Sequence, residues 1–249
     1  MSATPSKNPY AAPSSNLQET TPTVQVPSIE EALARGYNFG IDALINEAWQ
    51  RLKGAKGTLI ASMLVIGIAA LALYAAIKLG LNISGLSYAT DSYKKIINQL
   101  VGLLLTPLLA GQMLIGIRRA TDSPISIKLI TSQLGRAAPL IVTSLLVSVL
   151  TFFGFFLLII PGIYLSVAYM LAIPLVMERG LSPWQAMEAS RKAITQHWFK
   201  VLGLFLTLGL MLIVSAIPLG IGLIWTLPLT VICMGILYRT IFGVLPVTP

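Results

Sequence analysis

The stretch AAPLIVTSLLVSVLTFFGFFLLIIPGIYLSVAYMLAIPLVM, Ala137 to Met177, runs forty-one residues without a charged side chain. A helix that crosses a hydrocarbon core roughly 30 Å thick needs about 20 apolar residues at 1.5 Å each. The run therefore holds two spans, with the pair Pro161-Gly162 as the expected turn between them. The same reading applied outward gives six spans, at 57–80, 96–117, 138–160, 163–178, 201–217 and 220–238. The fourth is the shortest, and a tilted or partly re-entrant course is its alternative.

Composition points the same way. Of 249 residues, 55% are hydrophobic and 10% charged, against roughly 25% charged in a soluble domain, and mean hydropathy is +0.81. The expectation is an all-α, polytopic integral membrane protein of six transmembrane helices arranged as three hairpins. The formal net charge of +8 does not call for nucleic acid, because the basic residues flank apolar runs. Arg51, Lys53, Lys56, Arg118, Arg119, Lys128, Arg136, Arg179, Arg191, Lys192, Lys200 and Arg239 fall on one side of the six spans, and Lys78, Lys94 and Lys95 on the other. Retention of positive loops inside then places both termini in the cytoplasm.

Residues 1–27, with five prolines among Ser, Thr and Asn, lack the apolar core of a signal peptide and read as a disordered cytoplasmic tail. Residues 28–56 read as amphipathic interfacial helices, and 57–245 as the transmembrane domain. Each hairpin is preceded by an amphipathic segment expected to lie in the interface plane. From Ile41 to Lys53, the residues Ile41, Leu44, Ile45, Ala48 and Leu52 share a face. After Arg119, the residues Ile127, Ile130 and Leu134 form a shorter stripe. Before the fifth span, Ser182, Pro183 and Gln185 give a capped start; Trp184, Met187, Ile194 and Trp198 form the apolar side, and Glu188 can pair with Lys192. The glycines of Arg35–Gly40 read as a helix break.

Pro-Leu pairs recur at Pro107, Pro174 and Pro228, and Pro107 and Pro228 each precede an arginine by eleven residues, a weak internal repeat. Proline inside a helix removes a backbone donor, so kinks are expected at all three.

No Asp, Glu, Lys, Arg or His lies in the middle of a predicted span, which argues against proton relays and most ion-coupled transporters. His197 is the single histidine and Cys233 the single cysteine. No metal, cofactor or catalytic constellation is therefore expected, and no enzymatic activity. The expected function is that of a scaffold or envelope-maintenance component. Its partners would be membrane lipids and a cytoplasmic or membrane protein, with self-association allowed and no nucleic acid. Arg118, Arg119, Lys128, Arg191 and Lys192 are the candidate contacts to headgroups or a partner. The alternative is a permease or channel for a neutral or amphiphilic solute, lined by Thr106, Gln112 and Thr230.

Leu157–Leu165, continuing through Ala168–Pro174 to the helix Ala186-Met-Glu-Ala-Ser-Arg191, resembles the YciC-like bacterial membrane proteins. It is also similar to the membrane domain that precedes some bacterial glycerophosphodiester phosphodiesterases. The likeness covers about 100–240, with a fainter match at 43–57. It implies a multi-pass protein of the bacterial inner membrane. It carries over no catalytic residue, since the activity of the fused enzymes resides in a separate soluble domain not expected in this chain.

Overall fold

The structure, a computed structural model, describes residues 26–83 and 91–246. Expectations for residues 1–25 and for the turn at 84–90 lie outside the described residues. Ten α-helices and one 3-10 helix make up the described fold, with no strand among these residues.

Helix α1 (Ile29–Arg35) opens on a capping box in which Ser28 and Glu31 exchange hydrogen bonds of 2.8 and 3.1 Å, and it closes at Gly36, whose φ of 65° suits glycine. Gly40 then precedes α2 (Ile41–Leu52), so the two glycines bracket a helix break as their spacing suggested. Helices α3 (Lys56–Ile83) and α4 (Asp91–Ala120) pair side by side. A 3-10 helix (Ile127–Arg136) leads into α5 (Ala137–Leu157), followed by α6 (Ile159–Ala168) and α7 (Ala172–Arg179). Helix α8 (Pro183–Gln196) precedes the final pair, α9 (Trp198–Ala216) and α10 (Leu223–Phe242).

Six stretches are long and apolar enough to cross a bilayer: Lys56–Ile83, Tyr93–Ala120, Ile127–Leu157, Ile159–Arg179, Trp198–Ala216 and Leu223–Phe242. Helices α4 and α10 form the centre. Their backbones meet because neither Gly116 nor Gly235 carries a Cβ: one added at Gly235 would strike the backbone of Gly116, and one added at Gly116 the backbone of Val231. Small residues at such a crossing let van der Waals contact replace the hydrophobic drive that lipid does not supply. The two helices of the sequence repeat are thus packed against each other. Helices α3, α5 and α9 turn outward Leu64, Ile68, Leu71, Phe156, Leu206, Leu210 and Ile213, all exposed. A continuous apolar exterior of that kind is a liability in water and the matched surface in a bilayer.

Four expectations need correction. Pro161-Gly162 is not the turn. The chain turns at Leu158, in extended conformation (φ −158°, ψ 147°), and Pro161 sits in the first turn of α6, where a missing N–H costs nothing. Gly162 instead makes room for the ring of Phe155 as α5 and α6 close together. The stripe after Arg119 is shifted because that segment is 3-10. At three residues per turn Gln133, not Leu134, follows Ile130 to the inside and Leu134 is 52% exposed; Ile127, at the very start of the segment, is 41% exposed. On α8 the buried face is Ala186, Met187, Ala189, Ser190, Ala193 and Ile194, and Trp184 points outward. Finally, the apolar stripe of α2 is covered by protein: Leu44, Ala48 and Leu52 are buried, with α2 packed on α10, α4 and α9.

Pro107 and Pro228 lie inside unbroken helices, whereas the segment holding Pro174 divides between α6 and α7.

Candidate functional site

The last four carbonyls of an α-helix have no partner within it, and the end carries a partial negative charge. In this fold arginines from neighbouring elements supply the missing donors. Arg51 donates to the carbonyl of Arg119 at 3.1 Å, and Arg119 returns bonds to the carbonyls of Arg51 (2.6 Å) and Lys53 (2.7 Å), so the ends of α2 and α4 cap each other. Arg239 donates to the carbonyl of Ala120, the last residue of α4. Arg35 reaches the carbonyls of Thr240 (3.4 Å) and Ile241 (3.1 Å), and Arg179 those of Phe242 and Pro27 (3.1 Å to the latter). Arg136 bonds the carbonyl of Met177 at 3.0 Å. Six guanidinium groups thus tie the C-terminal ends of α2, α4, α7 and α10 into one belt.

Acidic side chains complete it. Glu47 accepts from Arg51 (2.8 Å) and Arg239 (2.8 Å), and Asp122 from Arg51 (2.5 Å). Although burial pulls the Arg51 guanidinium down, the bonds to Asp122 and Glu47 outweigh it and hold the group above its ordinary value. Deeper in, Glu178 and Arg179 have side chains only 7% and 9% exposed. Glu178 accepts from the Tyr238 hydroxyl, from Arg179 at 3.2 Å and from the Leu245 amide at 2.5 Å. This pair joins α7 to α10 and to the segments flanking the bundle at both chain ends. Sequence counting treated these arginines as orientation signals. Their carbonyl partners are 63 to 206 residues away, except Arg136, at 41, and no local pattern announces them.

The division between α6 and α7 is the second feature. Here the chain tightens, with the amide of Met170 on the Val167 carbonyl and that of Ala172 on the Tyr169 carbonyl, and the amide of Leu171 finds its acceptor outside the helix, in the Ser190 hydroxyl at 3.1 Å. The same hydroxyl donates to the carbonyl of Ala168 at 2.6 Å. Further on, Tyr164 and Thr195 hydroxyls meet at 2.7 Å, so α8 runs antiparallel along α7 and α6. Ser190 and Arg191 are the residues that close the motif Ala186–Arg191. Arg191 makes two bonds to Glu188 (2.8 and 2.7 Å), and Lys192 a looser one at 3.5 Å. The Arg191 hydrogen bond holds the Glu188 carboxyl below its ordinary value, against burial, and raises Arg191 in turn.

Of the candidate contact residues, Arg119 is spent inside the belt and Arg191 on Glu188. Arg118 is half-buried, with no side-chain bond among the described residues, and Lys128 and Lys192 are exposed. Of the candidate lining residues, Thr106 and Gln112 are buried on α4. Thr230 returns its hydroxyl to the carbonyl of Leu227 at 2.7 Å. Thr106 makes a 3.4 Å bond to Gly102, and Gln112 makes no side-chain bond among the described residues. Three grooves are lined by other residues: one at the α8–α9 junction, one between α2 and Trp225, and one between the far end of α4 and α5. The second holds Lys56 3.8 Å above the Trp225 ring. No group of His, Cys, Asp and Glu able to hold a metal ion occurs among the described residues.

An outward apolar surface, six membrane-length helices and polar ends define an all-α polytopic membrane protein. Compared with protein families, curated proteins and solved structures, the chain finds no match in any of them.

Proposed function

We propose that this protein is a non-enzymatic scaffold of the bacterial inner membrane, with both termini and the arginine belt in the cytoplasm. The observation that carries the reading is the belt itself. Alternating access by rocking of one helix bundle against another parts the helix ends on each face in turn, and here the ends of α2, α4, α7 and α10 are cross-capped by six arginines. Such an end is built to hold its shape. Arg118, Lys128 and Lys192 remain outside the belt and would meet anionic headgroups or a protein partner, each contributing about 1 kcal/mol near a charged surface. The resemblance to YciC-like proteins supports the compartment, and the positive-inside rule supports the orientation.

The test is reconstitution. Proteoliposomes placed in a glycerol or sugar gradient should swell no faster than protein-free vesicles. Faster swelling, lost on replacing Gln112 with Leu, would replace this reading with the permease. Crosslinking in native membranes should capture the same neighbours for wild type and for Gln112→Leu, and fewer for the double variant Lys128→Gln, Lys192→Gln.

A further inference from the structure

We infer that the junction of α8 and α9 binds the phosphate of an anionic membrane phospholipid, a site that deepens the headgroup reading above and rests on it. A groove of about 420 Å³ opens there, lined by Tyr164, Thr195, His197, Trp198, Phe199 and Lys200 among others, with no carboxylate in its wall. That volume is within the usual range for a small-molecule site.

Three donors of different origin converge on it. Helix α9 starts without a side-chain cap at His197, and the amides of Trp198, Phe199 and Lys200 take no backbone acceptor among the described residues. An uncapped helix start concentrates N–H groups and the positive end of the helix dipole, the arrangement that receives phosphate. Lys200 adds a full charge. Its ammonium sits 2.6 Å from the Asn38 amide oxygen, a neutral partner that positions the group without neutralising it. The indole N–H of Trp198 is buried with no hydrogen-bond partner, as is the hydroxyl of Tyr37, whose ring stands edge-on to His197 at 5.0 Å. Buried donors without partners are rare enough in folded proteins that each calls for an explanation. An anion seated in the groove that Trp198 lines supplies one for its N–H.

The source of the phosphate follows from the rest of the wall. Phe199 is 82% exposed beside the polar groups, and α9 continues into the apolar stripe Phe205, Leu206, Leu210 and Ile213. A phospholipid satisfies both halves, with its phosphate at the helix start and its chains along α9. A soluble phosphate satisfies only the first.

Native mass spectrometry of the full chain in mild detergent, with equal amounts of dioleoyl phosphatidylglycerol and dioleoyl phosphatidylcholine, tests the assignment. Wild type should retain the anionic lipid with about fivefold preference, the ratio expected when one basic group faces it. Lys200→Gln should abolish that preference, Lys200→Arg should keep it, and Lys95→Gln, exposed near the start of α4, should leave it intact. Unchanged preference in Lys200→Gln, or an equal loss in Lys95→Gln, would overturn the site. Inorganic phosphate binding as tightly as the lipid would overturn the lipid assignment. Should Lys200→Gln not fold, a chain whose single tryptophan is Trp198 decides the matter. Brominated phosphatidylglycerol should quench it more than brominated phosphatidylcholine, and equal quenching refutes the proposal. Solute flux by the reconstituted protein would end the scaffold reading and leave these outcomes unaffected.

Discussion

The Ser190 hydroxyl stands between two groups that the break in the fourth apolar segment sets free, 2.6 Å from the carbonyl of Ala168 and 3.1 Å from the amide of Leu171. All three residues are fully buried in protein, so neither group could turn to water. Ser190→Ala should therefore cost more than a lost surface bond, about 1–3 kcal/mol for orphaned buried groups. Thermal unfolding in detergent should show a lower midpoint for Ser190→Ala. Ser182→Ala, which touches only the exposed start of α8, should fall less. Equal midpoints for Ser190→Ala and wild type would mean that the break is not held by this hydroxyl.

The crossing of α4 and α10 gives a sharper contrast between glycines. A Cβ at Gly116 or Gly235 runs into the opposing backbone, whereas one at Gly67 or Gly209 meets nothing within 4 Å. Backbone cannot step aside as a side chain can, so Gly116→Ala and Gly235→Ala should each destabilise by about 1–3 kcal/mol. Gly67→Ala and Gly209→Ala should be neutral or should stabilise by up to about 1 kcal/mol through helix propensity. Urea or detergent-titration midpoints for the four variants check this, and a stable Gly235→Ala would show that the helices separate at no cost.

How much of this was legible from residues depends on range. The existence of six apolar segments, the break at Gly36 and Gly40 and the start of α8 depend on neighbours a few positions away and were legible, while the ends of the third, fourth and sixth segments lie a few residues from where local pattern placed them. Pro161-Gly162 misled because proline is equally at home in a first helical turn, and only the packing of Phe155 on Gly162 decides between the two. The stripe Ile127, Ile130, Leu134 assumed 3.6 residues per turn and met a segment with 3.0. On α8, Met187 and Ile194 are buried as expected, but Trp184, assigned to the same side by hydrophobicity, points outward, and alanines with Ser190 complete the buried face because the close approach to α6 and α7 selects for size. The belt could not be read at all. A side chain donating to a distant carbonyl leaves no trace in the sequence of the acceptor.

The Glu188–Arg191 pair makes a pH prediction. The Arg191 bond, the largest cause, holds the Glu188 carboxyl below its ordinary value of 4.5 in the folded protein, with burial acting in the opposite sense. A carboxyl depressed in the folded state contributes stability that is present above its unfolded value and is lost as pH falls through the folded one. The difference in melting midpoint between wild type and Glu188→Gln should thus be constant from pH 7 to about 5 and shrink below about 4.5. The effect is small, since the side chain is 37% exposed and screened by solvent. A difference that grew on acidification would have the wrong sign for this pair.

The threading of the final hairpin can be tested by labelling. Helix α10 has 20 residues, a length of about 30 Å, which matches the hydrocarbon thickness with nothing to spare. Its start adjoins the turn at Ile221, 57% exposed, and packs through Trp225 against Lys56 and the end of α2, while its end is held in the arginine belt through Arg239, Arg35 and Arg179, so labelling decides whether the two ends face one aqueous phase or two. If the helix crosses, the turn and the belt must face opposite aqueous phases. Cys233 is fully buried and gives a silent background for introduced thiols. In sealed inverted vesicles a membrane-impermeant maleimide should label Lys53→Cys, an exposed position whose carbonyl is bonded to Arg119 in the belt, and not Ile221→Cys. In cells whose outer membrane is permeabilised the pattern should reverse. Labelling of both positions from one side would mean that α9 and α10 enter and leave the same face, and the basic residues would no longer report a single orientation for the chain.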